Sequence, residues 1–150
     1  MTRHEARVAV FSLIFESFFR QDDSPEEIYS IAAAERGFSS NKYVRETYFG
    51  VMENAEMLDG EIGEYATNWK VDRMSRTAKA ILRLCAYELT FTDVPPRAAV
   101  NEAIEIAKEY AGEEEASFIN GILNSFAKAK GFIEVNTDGA QPKDSGKTNE

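Results

Sequence analysis

Residues 69–126 read WKVDRMSRTAKAILRLCAYELTFTDVPPRAAVNEAIEIAKEYAGEEEASFINGILNSF, and this stretch decides the fold. It holds three segments of helical period separated by turn signals. In the first, Ser75 to Phe91, the residues Ile81, Leu82, Leu84, Cys85 and Leu89 share one face. Arg76, Lys79 and Arg83, at i, i+3 and i+7, line the opposite one. Pro95 disfavours a helical Val94 and so ends that segment, and Pro96 suits the first position of the next. The second segment packs through Ala99, Val100, Ala103, Ile104, Ala107 and Tyr110 and stops at Gly112. The third, from Glu113 to about Lys130, has Ile119, Ile122, Leu123 and Phe126 as its core face. Gly121 on it is expected to let a neighbouring backbone approach closely.

Upstream the same period continues. Arg3 to Phe19 carries Val8, Phe11, Phe15 and Phe18 at spacings of three and four, widened by Leu13 and Ile14. Ser24-Pro25-Glu26-Glu27 opens a second helix with a capping box, and Gly37 is its expected stop. Ser39-Ser40-Asn41 caps a third, with Tyr43, Tyr48, Val51, Met52 and Ala55 toward the core. Its pattern runs on through Leu58, Ile62 and Tyr65 to Trp69, with a break expected between Leu58 and Gly60, where Gly60 and Gly63 weaken the helix. Strand alternation is absent, so the expectation is an all-α domain of about seven helices over residues 1–133. Residues 134–150 hold almost nothing apolar and read as a disordered polar tail.

The chain has 150 residues, 43% of them apolar and 29% charged, enough for one globular domain with its own core. No apolar run approaches the ~20 residues that span a bilayer. The N-terminus lacks the order of a signal peptide, so a cytoplasmic setting and no membrane partner are expected. Cys85 is the only cysteine, which rules out an intramolecular disulfide. The net charge of −9 speaks against sequence-blind attraction to polyanions. It is unevenly spread: residues 73–97 hold five cations against two acids, whereas residues 101–115 hold one lysine against six glutamates. A local basic face can grip a short nucleic acid, leaving the acidic remainder free to meet a basic protein.

No nucleophile, base and ligand set is legible, so an enzyme is not expected. His4 is the only histidine and sits at a terminus expected to fray, and Cys85 lies on an apolar face as a core thiol does. Clustered Cys and His for zinc are missing, and so is a Gly-rich phosphate loop, so no metal and no cofactor are expected. Glu113-Glu114-Glu115 suits a helix N-terminus better than calcium. Arg3 and Arg7, four apart, oppose the macrodipole of the first helix at ~0.5 kcal/mol each, a cost an anion would relieve. The plainer reading is two solvated arginines. Phe118, at the margin of a stripe already complete without it, reads either as a core-edge aromatic or as a platform for an unpaired base. Asn101 and Asn120 can read base edges or fix helix contacts.

The strings NWKVDRMSRTAKAILRLCAYEL, VP and AVNEAIEIAKEYAGEEEASFINGILNSF, in this order and spacing, resemble the C-terminal half of the NusB family of transcription antitermination factors. Arg3 to Phe15, with Ala6-Arg7, resembles its arginine-bearing first helix. The likeness covers about residues 3 to 130. It implies an all-helical fold of two packed helical subdomains without catalysis or cofactor. It also implies binding of the boxA element of nascent ribosomal RNA leaders together with NusE, a small-subunit ribosomal protein. The complex loads onto RNA polymerase with other Nus factors. By position, Arg3 and Arg7 match the family's RNA-binding arginines, Lys79 and Arg83 match cations of the Ala-x-Leu-Arg helix, and Phe118 and Glu114 match an aromatic and a nearby acid beside the RNA.

The chain departs from the family pattern at several positions. His4 and Glu5 interrupt the N-terminal cations, and Val10, Phe11, Ser12 and Phe15 replace small residues and a tyrosine. RNA affinity of the chain alone is therefore expected to be weak, with the protein partner supplying more of the binding. A similar domain also occurs fused to an RNA cytosine methyltransferase; this chain, closing in a polar tail, is expected to lack that enzyme. The competing function is a purely structural helical adaptor that meets a basic protein without touching RNA.

Overall fold

The computed structural model describes residues 1–66 and 74–134. Trp69, Arg73 and the expected tail from residue 135 on lie outside the described residues. Among those described there are seven helices and no strand: α1 (Arg3–Ser17), α2 (Pro25–Arg36), α3 (Lys42–Glu53), α4 (Ala55–Gly63), α5 (Arg76–Phe91), α6 (Pro96–Tyr110) and α7 (Glu113–Ala129).

Local chemistry sets most of the boundaries. Ser24 accepts from the Glu27 N–H while the Glu27 carboxylate accepts from the Ser24 N–H, closing the box that starts α2. Gly37, at φ 78°, ends that helix in the left-handed conformation that favours glycine. A second box, unforeseen, joins Thr2 and Glu5. It anchors the start of α1, and His4 is held rather than frayed: its Nδ1 lies 3.0 Å from Glu102 Oε1 on α6. Pro96 is the first residue of α6.

The break expected between Leu58 and Gly60 falls earlier. Asn54 interrupts the run between α3 and α4, and its side-chain N–H donates to the Gly50 carbonyl at 2.7 Å. A side chain that competes for backbone acceptors ends a helix more effectively than an interior glycine weakens it. Gly60 therefore lies inside α4, exposed and with open space around it. Gly60→Ala is expected to raise stability by about 0.5–1 kcal/mol; a urea midpoint that does not rise would place a conformational requirement there.

Helices α1, α2 and α3 pack together, α4 to α7 form a second group, and α5 touches both through α1 and α3. One continuous core runs through the two groups. Its largest fully buried side chains include Tyr48, Leu13 and Ile28 on one side and Leu82, Ile106 and Phe126 on the other. On α6 Ala99, Val100, Ala103 and Ala107 are buried as expected and Ile106 joins them, whereas Ile104 is only partly buried and Tyr110 is exposed. Tyr110 instead lays its ring against Phe11, centroids 5.3 Å apart, because α1 also borders this helix. The close approach expected at Gly121 is found at Gly50: a Cβ on Gly121 would meet nothing, whereas one on Gly50 would run into the ring of Tyr87.

Candidate nucleic-acid interface

Helices α1 and α5 lie antiparallel, and the pairings fix their register. Arg7 meets Glu88, Phe18 meets Lys79 and Arg83, and Phe19 meets Arg76. The basic face of α5 is thereby laid against the aromatic end of α1. Arg3 and Phe18 are one helix length apart, about 22 Å at 1.5 Å per residue, so the candidate cations divide between two ends.

At the first end, Arg7 is not a solvated arginine. It is 7% exposed and Glu88 1%. Arg7 Nε donates to Glu88 Oε1 at 2.9 Å and Nη2 to Oε2 at 3.3 Å. The Tyr43 hydroxyl donates to Glu88 Oε2 at 2.8 Å, and Arg7 Nη1 lies 3.6 Å from Glu102. Burial works against the Arg7 charge, but the hydrogen bond and charge of Glu88 outweigh it and the guanidinium pKa is raised. Burial, and then Glu88, push the Tyr43 phenol up as well. This cluster ties α1, α3, α5 and α6 together. Arg3 sits above it, exposed, with its guanidinium 4.1 Å over the Tyr43 ring.

At the other end, Arg76 lies 4.7 Å over Phe19 and Lys79 Nζ 5.5 Å over Phe18. Phe19 is 58% exposed. Arg83 also stands over Phe18, at 4.9 Å, but its guanidinium is held by both Asp59 oxygens on α4. Among the described residues Arg3, Arg76 and Lys79 have no carboxylate partner, while Arg7 and Arg83 are neutralised. The single stripe read on α5 is therefore two free cations and one that braces α4.

Helix α7 places Glu114 exposed in its first turn and Phe118 partly buried against the core, one turn further along the same flank. Glu115, on that flank too, accepts from the hydroxyl of Ser75, the N-cap of α5, at 2.7 Å. Phe118 thus borders the end of α5 that carries Arg76 and Lys79. Asn101 and Asn120 line a separate groove of about 440 Å³ between α6 and α7, on the opposite flank. Asn120 accepts from Asn124 within its own helix, at 2.7 Å.

Tyr43, Glu88, Asp59 and Phe19 were not singled out for this surface from the letters. Only Glu88, a carboxylate on an otherwise apolar turn, carried a signal, since a buried acid needs a cationic partner. Cys85 is buried, and that burial pushes its thiol pKa up, away from a reactive thiolate. Among the described residues no group of three or more His, Cys, Asp or Glu side chains is placed to hold a metal ion. None of their helices is long and apolar enough to cross a membrane.

These features define an all-helical protein on whose surface Arg3, Arg76 and Lys79 rest on aromatic rings. The pattern of the NusB family matches residues 4–128, and the chain belongs to that family, one of transcription antitermination factors rather than enzymes. It is 36% identical over 137 residues to transcription antitermination protein NusB of Clostridium botulinum (strain Loch Maree / Type A3), covering 82% of this chain and 97% of that protein. To the protein of the same name from Acetivibrio thermocellus it is 36% identical over 146 residues, 96% of this chain and 99% of the other. The solved structure of T. maritima NusB superposes with a TM-score of 0.80 at 35% identity, over 90% of this chain and 99% of that one. At 24% identity, the fold is shared with a chain from a crystal structure of antitermination factors NusB and NusE in complex with double-stranded RNA, with a TM-score of 0.76 over 86% of this chain and 99% of that one.

Proposed function

We propose that this antitermination factor works in the cytoplasm as an RNA-binding subunit, gripping boxA-type RNA of ribosomal leader transcripts jointly with NusE and joining RNA polymerase with other Nus factors. The observation that carries this reading is three cations without a carboxylate partner among the described residues, each pre-positioned on an aromatic ring: Arg3 on Tyr43, Arg76 on Phe19 and Lys79 on Phe18. Such a cation has already lost much of its rotamer freedom, and a phosphate can take it without breaking an ion pair. In this reading Arg3 and Lys79 contact phosphates, Phe118 stacks on a base, and Glu114 accepts from a base edge beside it. Arg7 and Arg83 serve the same surface from beneath, holding it through Glu88 and Asp59.

Three cations held on rings, on a chain of net charge −9, make a thin electrostatic footprint. The protein is therefore expected to bind boxA RNA more tightly when NusE is present than alone. Filter binding with a boxA-like strand, single and double, with and without NusE, checks this. Equal affinity in both conditions sinks the joint-binding idea. Binding to NusE without any RNA retention favours the adaptor reading, which the acidic surface of α6 and the first turn of α7 would then serve.

A further inference from the structure

We propose that the groove of about 610 Å³ between the start of α1, helix α3 and the end of α5 is a nucleotide subsite, in which a base stacks on Phe91 and its phosphate lies between Arg3 and Lys42. The inference rests on the RNA-binding reading above and deepens it, giving Arg3 a stacking ring and a second cation in a groove that Phe118, on α7, does not line.

Phe91 closes α5 with 48% of its surface exposed, although it is a large apolar side chain at the end of an otherwise well-buried helix. Its ring is not loose. Tyr87, one turn earlier, packs against it with centroids 5.3 Å apart and planes tilted by 33°. Tyr87 is in turn seated in a notch of α3 made by Gly50, where any Cβ would strike the ring. A helix-interior glycine costs stability, and here it makes room for the ring that supports Phe91. The platform is thus oriented before a ligand arrives, which lowers the entropic cost of stacking.

The charges of the groove select its occupant. Arg3 is parked over Tyr43 without a carboxylate partner among the described residues. Lys42 is well exposed, and its nearest carboxylate, Glu46, is 3.9 Å away; an exposed pair at that distance is readily exchanged for a phosphate. Glu46 and Asp93 line the same groove. They make it a poor sink for a free anion, because each repels one. A nucleotide satisfies both demands, with phosphate for the cations, N–H donors on the base edge for the carboxylates and a π face for Phe91.

The test is anisotropy of a labelled boxA-like RNA against the full chain, across a salt series, alongside a NusE pull-down and urea unfolding. Phe91→Ala is expected to bind RNA about five- to thirtyfold more weakly with its salt slope unchanged, since a stacking contact is lost and no cation. Lys42→Gln should instead lower the magnitude of the log–log slope by ~0.7, the signature of one phosphate contact on a single strand. Gly50→Ala touches no RNA; it should weaken binding in the same direction as Phe91→Ala without lowering the unfolding midpoint, because only Tyr87 must move. RNA affinity unchanged in Phe91→Ala, while the wild type binds, overturns the subsite alone. Loss of NusE capture with RNA affinity intact overturns it too, and makes the groove a protein-docking surface. A wild type that binds no RNA overturns the functional reading itself.

Discussion

Replacing Arg7 with alanine is expected to lower the unfolding free energy by about 3–5 kcal/mol, because stripping one partner from a buried ion pair leaves an uncompensated charge. Glu88 would keep only the Tyr43 hydroxyl at 2.8 Å in a site where 1% of its surface is exposed. For a chain of this size the loss corresponds to a fall in melting temperature on the order of 10 °C. The variant Arg7→Met combined with Glu88→Leu should recover most of it, since a well-packed apolar pair avoids the desolvation penalty that the ion pair has to offset. Urea unfolding of the single and double variants decides between this account and a surface arginine, for which Arg7→Ala would be nearly neutral. The same single variant, kept folded in the cold, separates support from contact. If Arg7 acts only through Glu88, the salt dependence of RNA binding keeps its slope. A slope flattened by ~0.7 would put a phosphate on Arg7 directly.

The position of Arg7 marks where sequence reading loses its grip. The capping box of Ser24 and Glu27, the stop at Gly37 and the start at Pro96 were all legible because each depends on residues within four positions. The apolar face of α5 was legible for the same reason, as periodicity is local. The partner of Arg7 is 81 residues away, and no spacing rule reaches that far. Nor could the letters show that Arg83 spends its charge on Asp59, or that Arg76 and Lys79 rest on the rings at the end of α1. The glycines went astray by the same mechanism. Whether a glycine makes room depends on what stands opposite it, and the neighbour is Tyr87 at Gly50 and open space at Gly121. The fold class and its family were thus readable from pattern, while the division of the cations into free and braced ones needed the packing.

Phe118→Ala is expected to weaken RNA binding by about 1–3 kcal/mol, the loss of one stacked base. Its cost in stability should be clearly less than the ~3–5 kcal/mol of a fully buried phenylalanine. Phe126, two turns further along α7 and 1% exposed, supplies the internal reference. Both rings belong to one helix and one core, but Phe118 is only partly covered, on the flank where Glu115 caps against Ser75 and α5 begins with Arg76. Phe118 keeps part of its surface at the solvent boundary, whereas Phe126 has none to offer. Urea unfolding and RNA binding measured on Phe118→Ala and Phe126→Ala side by side separate the two roles. Phe126→Ala should lose stability and, in its folded fraction, retain RNA affinity; Phe118→Ala should do the reverse. If Phe118→Ala unfolds as early as Phe126→Ala and the folded remainder binds RNA with native affinity, Phe118 is a core residue and the RNA track passes elsewhere on the surface.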